Sequence, residues 1–574
     1  MAMITDLRDP GRDGSWLPRI SIFDGFSMTV AVGIVFLILY PAAIMLYRVF
    51  FPQGSLDLSA FGMVLAAPWL GPTLFNTVAV VVSAGALAVV TASIFAWLNE
   101  RTDARLGTLG DILPIIPLLV PAVAMAIGWI FLASPGAGFI NGFLAATFGR
   151  LGIPLQVNVT SWAGVIFVYT LYFIPYVYLI VASAFRNVDP ALEEASRLSG
   201  ASTWMTLRKI SLPAIKPAIF GAALLVAIVG FSVYSIPVVI ANRAGIDILS
   251  VRILRSLTFE YPPRTDQAVV LTLFMLVVVA AIWLVQRRVT RAGRFATIGG
   301  KSARHIVVEL GPWKWPARAI MIAYVVCTSV LPLLALLIVS LQPFWQVNIN
   351  PAVFTLDNYY NVLIRRPITS VAFQHSLGLG LVGGFVAISL GVLMAVYAKS
   401  APGVVGRTID GVTKLPAALS HIVIGVGFLL AFSGPPFNLS GTLFLLFLCY
   451  IVLHMPEASI AANAAVSQVG DDLLEASSVA GASQGRTFRK VLLPLVLPGL
   501  VSGWALLFVL MAGELTASAL LAGTRNPVVG FVILDIWEQG TFGTLAALAF
   551  SFTLVTSTIV LIATRLSRRG FHAR

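Results

Sequence analysis

Two polar passages match each other in an otherwise apolar chain: LEEASRLSGASTWMTLRKISLPAIKP (Leu192–Pro217) and LLEASSVAGASQGRTFRKVLLPLVLP (Leu473–Pro498). At a constant offset of 281 residues, 13 of their 26 positions are identical. The apolar segments around them repeat in pattern but hardly in residue identity, as expected where many apolar side chains serve equally well. The chain is therefore predicted to consist of two similar halves, each with a tightly constrained polar loop.

The composition indicates an integral membrane protein. Of the 574 residues, 58% are hydrophobic and only 11% are charged, and the mean hydropathy is +0.94. Soluble domains carry about 25% charged residues. The net charge of +13 would suggest nucleic acid in a soluble chain, but basic patches with interleaved aromatic residues are absent from the sequence, and we expect no nucleic-acid partner. Cys327 and Cys449 lie in apolar runs and are predicted to be free thiols.

The apolar runs predict twelve transmembrane helices, six in each half. A helix needs about 20 apolar residues to cross the hydrocarbon core. Several runs contain Pro and Gly, so these spans are expected to be kinked or broken. By the criterion of about 20 apolar residues, the spans lie at roughly 27–48, 73–97, 109–133, 161–185, 214–240, 267–286, 317–341, 375–398, 411–432, 441–462, 495–522 and 543–564.

The basic residues predict the orientation of the spans. If the N-terminus is cytoplasmic, the inside segments hold 28 Lys and Arg and the outside segments hold 9, which accounts for all 37. An excess of basic residues marks the cytoplasmic side of a membrane protein. Both termini and both polar passages are therefore predicted to be cytoplasmic. The predicted divisions are a cytoplasmic and interfacial segment, a first six-helix half, a cytoplasmic linker, a second six-helix half and a basic tail, at 1–26, 27–286, 287–316, 317–564 and 565–574.

Capping signals predict a helix, a tight turn and a second helix in each polar passage. Asp189 followed by Pro190 is a favourable helix start, Gly200 ends that helix, and Ser202 caps the next one. Ser483 has the equivalent capping position in the second passage. The small residues leave one face open to a partner backbone, and a Glu in each copy adds charge, so the unit has the form of a docking element. The alternative is an amphipathic surface segment, which the repetition at one topological position disfavours.

The repeated pattern resembles a known motif. Glu-Ala-Ser, three residues, Gly, nine residues, Ile or Val, one residue and Leu-Pro is similar to the EAA motif of the membrane-spanning subunits of bacterial ABC importers. The resemblance implies an all-α integral membrane protein of the type I importer fold, with twelve transmembrane helices in two pseudo-symmetric, parallel six-helix repeats. The fused arrangement is most like the ferric-ion permeases, and the thiamine and aminoethylphosphonate permeases are close relatives. Ser replaces the usual third-position Ala in both copies.

The resemblance also implies partners. In that family the motif forms a coupling helix that sits in a cleft of a separate ATPase subunit, so two ATPase copies, carrying ATP and Mg, and a periplasmic or lipid-anchored solute-binding protein are expected. The linker sequence GGKS is no nucleotide loop, because Phe295 stands where a P-loop needs Gly. This chain is expected to bind no cofactor or metal and to catalyse no reaction. The implied coupling residues are Glu194, Ala195, Ser196, Gly200, Glu475, Ala476, Ser477 and Gly481.

The substrate pathway is expected between the halves, near the membrane midplane. Glu514 is the clearest ionisable residue inside a predicted span and is a candidate pathway residue; a structural hydrogen bond or a hydrated position near the outer surface is the alternative. Tyr234 and Ser235 are weaker candidates. His421 and His454 are predicted to be neutral imidazoles bonded to neighbouring helices.

Three questions stay open from the sequence. Ferric ion, thiamine, a phosphonate and a polyamine all remain candidate solutes. A gradient-driven secondary transporter can also have two repeats of six spans, and a membrane scaffold or receptor is a further rival, although neither explains two docking loops. The outer loops after the fifth spans are candidates for receiving a binding protein, with Arg252 and Arg255 among their charges.

Overall fold

The protein is an all-helical membrane protein, as predicted. The computed structural model describes residues 22–51, 54–106, 116–258, 260–292, 307–400, 403–467, 469, 473, 476–477, 479–482 and 484–572. Within these residues the only β-type pairing is one isolated bridge between Thr102 and Val308. Most of the N-terminal segment predicted at 1–26 and the central part of the linker predicted at 287–316 fall outside the described residues.

The helices of the two halves follow one another in corresponding order. Those of the first half are α1 (Ile22–Phe50), α2 (Ser59–Leu65), α3 (Leu70–Arg101), α4 (Ala122–Ala133), α5 (Phe139–Thr147), α6 (Trp162–Arg186), α7 (Pro190–Leu198), α8 (Thr203–Ser232), α9 (Ser235–Val239), α10 (Leu249–Thr258) and α11 (Thr265–Ala292). Those of the second half are α12 (Gly311–Leu341), α13 (Asp357–Tyr360), α14 (Pro367–Ala398), α15 (Gly403–Thr413), α16 (His421–Phe432), α17 (Leu443–Leu453), α18 (Met455–Val466), α19 (Gly485–Ala512), α20 (Thr516–Leu521), α21 (Val529–Gln539) and α22 (Phe542–His572).

Ten of the twelve predicted spans have the length of a membrane crossing. In the described part of the chain nine helices are long and apolar enough, and α17 and α18 together form a tenth span bent by 51°. The third predicted span of each half is instead a shorter apolar helix, α4 or α16. Each of these follows a 3-10 turn that contains a proline, Pro117 or Pro416. Proline removes a backbone donor, which explains why these spans are interrupted.

The fifth spans end earlier than predicted. The sequence predicts spans to about residues 240 and 522 by length, whereas α8 stops at Ser232 and α19 at Ala512, and a short helix follows each break. Both long helices also contain a π-turn, Leu207–Ser211 or Phe488–Leu492, directly before a Leu-Pro pair. A π-turn accommodates the proline that cannot continue regular helical bonding.

The halves are joined by a reciprocal exchange of helices. Helix α1 of the first half packs against α16 of the second, and α12 of the second packs against α4 of the first. A glycine stands at each crossing: a Cβ on Gly128 would lie 2.6 Å from the Cα of Pro332, and a Cβ on Gly427 would lie 3.2 Å from the Cβ of Pro41. The absence of a side chain lets the backbones approach. Each half is therefore completed by the first helix of the other.

Candidate functional site

The first polar passage folds as the predicted helix, turn and helix. Asp189 begins α7 by accepting a hydrogen bond from the backbone N–H of Ala191 at 2.9 Å. Gly200 then adopts a φ of +81°, a left-handed conformation that favours glycine. Ser202 caps α8 by accepting from the backbone N–H of Met205 at 3.3 Å. The local signals in the sequence thus act as predicted.

The second passage repeats the turn. Gly481 has a φ of +75°, close to that of Gly200, and Ala476 is exposed. Glu475 and Ser483, which the sequence analysis assigned to coupling and capping, lie outside the described residues. The geometric match therefore rests on Ala476, Ser477, Gly481 and the start of α19.

A hydroxyl pair fixes the turn in both copies. The Oγ of Ser196 lies 2.9 Å from the Oγ1 of Thr206, and the Oγ of Ser477 lies 2.8 Å from the Oγ1 of Thr487. Both pairs join residues ten apart across the turn, and all four residues are among the identical positions of the repeat. The third motif residue thus bonds inward to the next helix, which corrects the prediction that it forms part of an open face. Of the implied coupling residues in the first copy, Glu194, Ala195 and Gly200 are exposed and Ser196 is half-buried.

A buried ion pair that was not predicted from the sequence lies behind the first loop. Arg101 and Glu193 are almost fully buried, and the Nε of Arg101 lies 3.4 Å from the Oε1 of Glu193. Arg101 also donates to the carbonyl oxygens of Phe185 at 2.6 Å and Val188 at 3.0 Å. Ser211 donates its hydroxyl to Glu193 at 2.7 Å. These contacts tie α7 to the ends of α3 and α6 and to the first part of α8.

A second polar cluster surrounds Glu514 at the break between α19 and α20. Its Oε1 accepts from the backbone N–H groups of Thr516 at 2.9 Å and Ala517 at 3.2 Å, and so starts α20. Its Oε2 lies 3.4 Å from Nδ1 of His421 and 3.7 Å from Nε2 of His454. The Glu514 side chain is 8% exposed. Glu514 is thus buried, with one carboxylate oxygen facing two imidazoles.

His454 does not have the predicted hydrogen bond to a neighbouring helix. Its side chain is 2% exposed, and neither ring nitrogen has a hydrogen-bond partner among the described residues. Nδ1 lies 3.9 Å from Oε2 of Glu457, an atom that is also buried and unpaired within the described part of the chain. Distances of 3.7 and 3.9 Å are too long for hydrogen bonds. The imidazole therefore stands between two carboxylates without bonding to either.

The cluster faces the first half. The hydroxyls of Tyr172 and Tyr176 on α6 lie 3.2 Å apart, and both phenols are within electrostatic range of Glu457 and Glu514. A Cβ on Gly513 would lie 3.5 Å from the Cβ of Pro121 in the first half. His454 follows Leu443 by 11 residues and precedes Val466 by 12, so it lies at the middle of its bent span. The cluster thus lies between the halves and at the middle of its bent span.

The structure does not bring the other two pathway candidates to Glu514. Tyr234 is buried and lines a separate pocket with Asn242, Arg255 and Glu538. Ser235 is partly buried at the start of α9. The pocket lies between α10 of the first half and α21 of the second, so Tyr234 also lies at the interface of the two halves.

The described side chains show no preformed metal site. Across the described ranges, no three His, Cys, Asp or Glu side chains are placed so that they could hold a metal ion. Cys327 and Cys449 are free thiols, as predicted. Of the outer arginines, Arg252 lies 3.6 Å from Asp247 and stacks over Trp69.

Comparison with known proteins places these features in context. Residues 84–293 and 387–570 match the family described as binding-protein-dependent transport system inner membrane component. A ferric transport system permease protein of Actinobacillus pleuropneumoniae is 23% identical over 94% of this chain and 77% of its own length. A Salmonella paratyphi A protein assigned to 2-aminoethylphosphonate transport is 28% identical over 42% of this chain and 89% of its own. A solved chain of a bacterial ABC transporter for alginate import covers 45% of this chain and 96% of its own, with 18% identity and a TM-score of 0.37.

Proposed function

The chain belongs to the family of binding-protein-dependent transport system inner membrane components, and we propose that this one chain supplies both halves of the translocation path of an ATP-driven importer. The observation that carries the proposal is the duplicated coupling turn. Its glycine conformation and its Ser–Thr bond are the same in both halves. Two equal docking elements fit two copies of one ATPase subunit.

The proposed cycle uses ATP binding to change the balance between two conformations. Moving a carrier from 1:99 to 99:1 requires about 5.5 kcal/mol of differential binding. Two ATPase subunits that close on ATP would draw the coupling turns together and open the path outward. Hydrolysis would reset it inward. Those subunits hold ATP and Mg. This chain changes conformation and does not catalyse the hydrolysis.

We place both termini and both coupling turns in the cytoplasm of a bacterial cell, with the chain in the inner membrane. The excess of basic residues on that side supports the orientation. A periplasmic or lipid-anchored binding protein would deliver the solute to the opposite face. The outer helices α10 and α21 suit that contact, because they lie on the other end of the spans from α7.

Ferric ion is the leading solute, since the relative that this chain matches over most of its length is a ferric transport permease. Aminoethylphosphonate, thiamine and polyamines are the alternatives, and the first of these has a relative that matches one half. A gradient-driven secondary transporter is disfavoured by the two coupling turns.

The test of this proposal is assembly and coupling. The tagged chain, extracted in detergent from cells that also express the ATPase encoded with it, is expected to bring that ATPase down. The paired substitution Glu194→Lys and Glu475→Lys is expected to abolish ATP-dependent uptake and to leave the chain in the membrane. Glu309→Lys, a charge reversal at an exposed position of the linker, is the matched control and should keep uptake. Failure of the wild-type chain to bind the ATPase would refute the proposal.

A further inference from the structure

The polar cluster lines an open space inside the protein. His421 and Glu457 keep 33% and 38% of their side chains exposed although helices of both halves surround them. Tyr172 and Tyr176 are also partly exposed where they face these groups. Side chains in a packed core would be covered. These four side chains therefore border space that the protein does not fill, near the middle of the bent span.

The cluster contains more carboxylate groups than its hydrogen bonds account for. One oxygen of Glu514 is satisfied by two backbone N–H groups, and the other has only imidazoles near it. Glu457 adds a second carboxylate. The group carries an excess of negative charge unless both imidazoles are protonated. Buried carboxylates are stable only with a compensating positive or hydrogen-bonding group.

The described residues do not supply a partner for several polar atoms of this cluster. Both nitrogens of His454 and one oxygen of Glu457 are buried without a hydrogen-bond partner in the described residues. Buried polar atoms without partners are rare and call for an explanation. These atoms lie close together in the cluster: Nδ1 of His454 is 3.9 Å from Oε2 of Glu457, and its Nε2 is 3.7 Å from Oε2 of Glu514. A cation passing through this space would supply positive charge beside the carboxylates. Water molecules would form hydrogen bonds to the unpaired atoms when no cation is present.

The first half shows that the break needs none of these charges. It makes the same helix break with Val233 at the position of Glu514. Phe173 and Tyr176 occupy the positions of His454 and Glu457 at the offset of 281, and Ala122 begins α4 as His421 begins α16. Both halves have this helix break, but only the second half has the ionisable side chains. Forming the break is therefore not the reason for these side chains.

We propose that Glu514, Glu457, His454 and His421 form a station for a positively charged solute in the pathway, opposite Tyr172 and Tyr176. This inference rests on the proposed importer function and selects among its solutes: it favours a metal cation or an organic cation over a phosphonate. The carboxylates would contact the charge directly, and the phenols offer hydroxyl oxygens to a metal ion or ring faces to an organic cation. A metal ion would need the side chains to close around it.

The test is uptake by the complete transporter in proteoliposomes, with the chain, its ATPase and its solute-loaded binding protein. Three labelled probes are supplied separately: ferric ion, thiamine and 2-aminoethylphosphonate. We expect ATP-dependent uptake of one of the two cations, and which one it is distinguishes a metal from an organic substrate. The double variant Glu514→Gln and Glu457→Gln is expected to lower that uptake at least about tenfold, as expected for the loss of charged contacts.

Two further variants separate a pathway defect from misfolding. His454→Phe, which copies the first half, is expected to assemble with the ATPase and to lose most uptake. Asp410→Asn, whose carboxylate pairs with Lys414 at an exposed site, is the matched control and should transport normally. Full cation uptake in the double variant would overturn the station, as would uptake of the phosphonate alone. A wild-type complex without ATPase, or without ATP-dependent uptake of any solute, would instead contradict the proposed function.

Discussion

The two halves of the chain share their mechanical features and differ in their charges. Both have a broken third span, a break after the fifth, a glycine at the crossing to the other half and a coupling turn closed by a Ser–Thr bond. Only the second has the cluster around Glu514. The ion pair of Arg101 and Glu193 supports the coupling turn of the first, where Leu474 and Leu492 stand at the second half's positions for Glu193 and Ser211. The shared features indicate that the two halves undergo the same conformational change. The features present in only one half indicate that the halves differ in function.

The glycine crossings should give the largest effect. Gly128→Leu forces a side chain into the backbone of Pro332, where even a Cβ would lie 2.6 Å from the Cα, so we expect little folded protein by size-exclusion chromatography. Gly128→Ala should cost more stability than Gly427→Ala, because the second site leaves 3.2 Å to the Cβ of Pro41. Overpacking of this kind costs about 1–3 kcal/mol. Equal midpoints of thermal unfolding for the two alanine variants would contradict this difference.

Removal of the buried arginine should have the next largest effect. Arg101→Ala leaves Glu193 buried without its partner, and breaking such a pair costs about 3–5 kcal/mol. We expect α7 to lose its fixed position. The measurement is the rate of ATP hydrolysis, which should no longer respond to the solute-loaded binding protein. The triple change Arg101→Met, Glu193→Leu and Ser211→Leu gives the first half leucines at the positions of Leu474 and Leu492. The triple variant should be more stable than Arg101→Ala alone. If it is not, leucines at these two positions cannot replace the ion pair of Arg101 and Glu193.

Local signals made the coupling turn predictable, and distant contacts made its anchor unpredictable. Asp189, Gly200 and Ser202 act within a few residues of themselves, so their roles follow from the sequence. Arg101 and Glu193 are 92 positions apart, and nothing in the passage distinguishes Glu193 from the exposed Glu194 beside it. Only the fold, which brings the end of α3 to α7, identifies the pair.

The pathway shows the same limit. Glu514 is recognisable because a carboxylate inside an apolar run is rare. The role predicted for His454 was wrong, because the partners of an imidazole depend on which helices surround it. The fifth spans were predicted too long, since hydropathy alone does not register a break between two apolar helices. In the second half Glu514 accepts from two backbone N–H groups at this break and starts the new helix.

The hydroxyl pairs allow a direct test of mechanical equality. Ser196→Ala and Ser477→Ala each remove one hydrogen bond of nearly the same length, worth about 0.5–1.5 kcal/mol. We expect both variants to lower the ratio of solute transported to ATP hydrolysed, and by similar factors. A large difference between them would show that the two turns are not equivalent in the cycle. Thr206→Ser and Thr487→Ser keep the hydroxyls and serve as controls.

The smallest effect is expected at an ion pair beside the buried one. Arg186 and Glu100 form two contacts of 3.0 and 2.8 Å; the arginine side chain is 49% exposed and the glutamate side chain 9% exposed. Solvent screens the arginine end of the pair, and a glutamine at position 100 keeps an acceptor oxygen for it, so the loss should be about 1 kcal/mol or less. Glu100→Gln should therefore leave the unfolding midpoint and the transport ratio nearly unchanged, although it lies one residue from Arg101. A loss as large as that of Arg101→Ala would mean that the charge at the end of α3, rather than the buried contact with α7, holds the coupling helix of the first half.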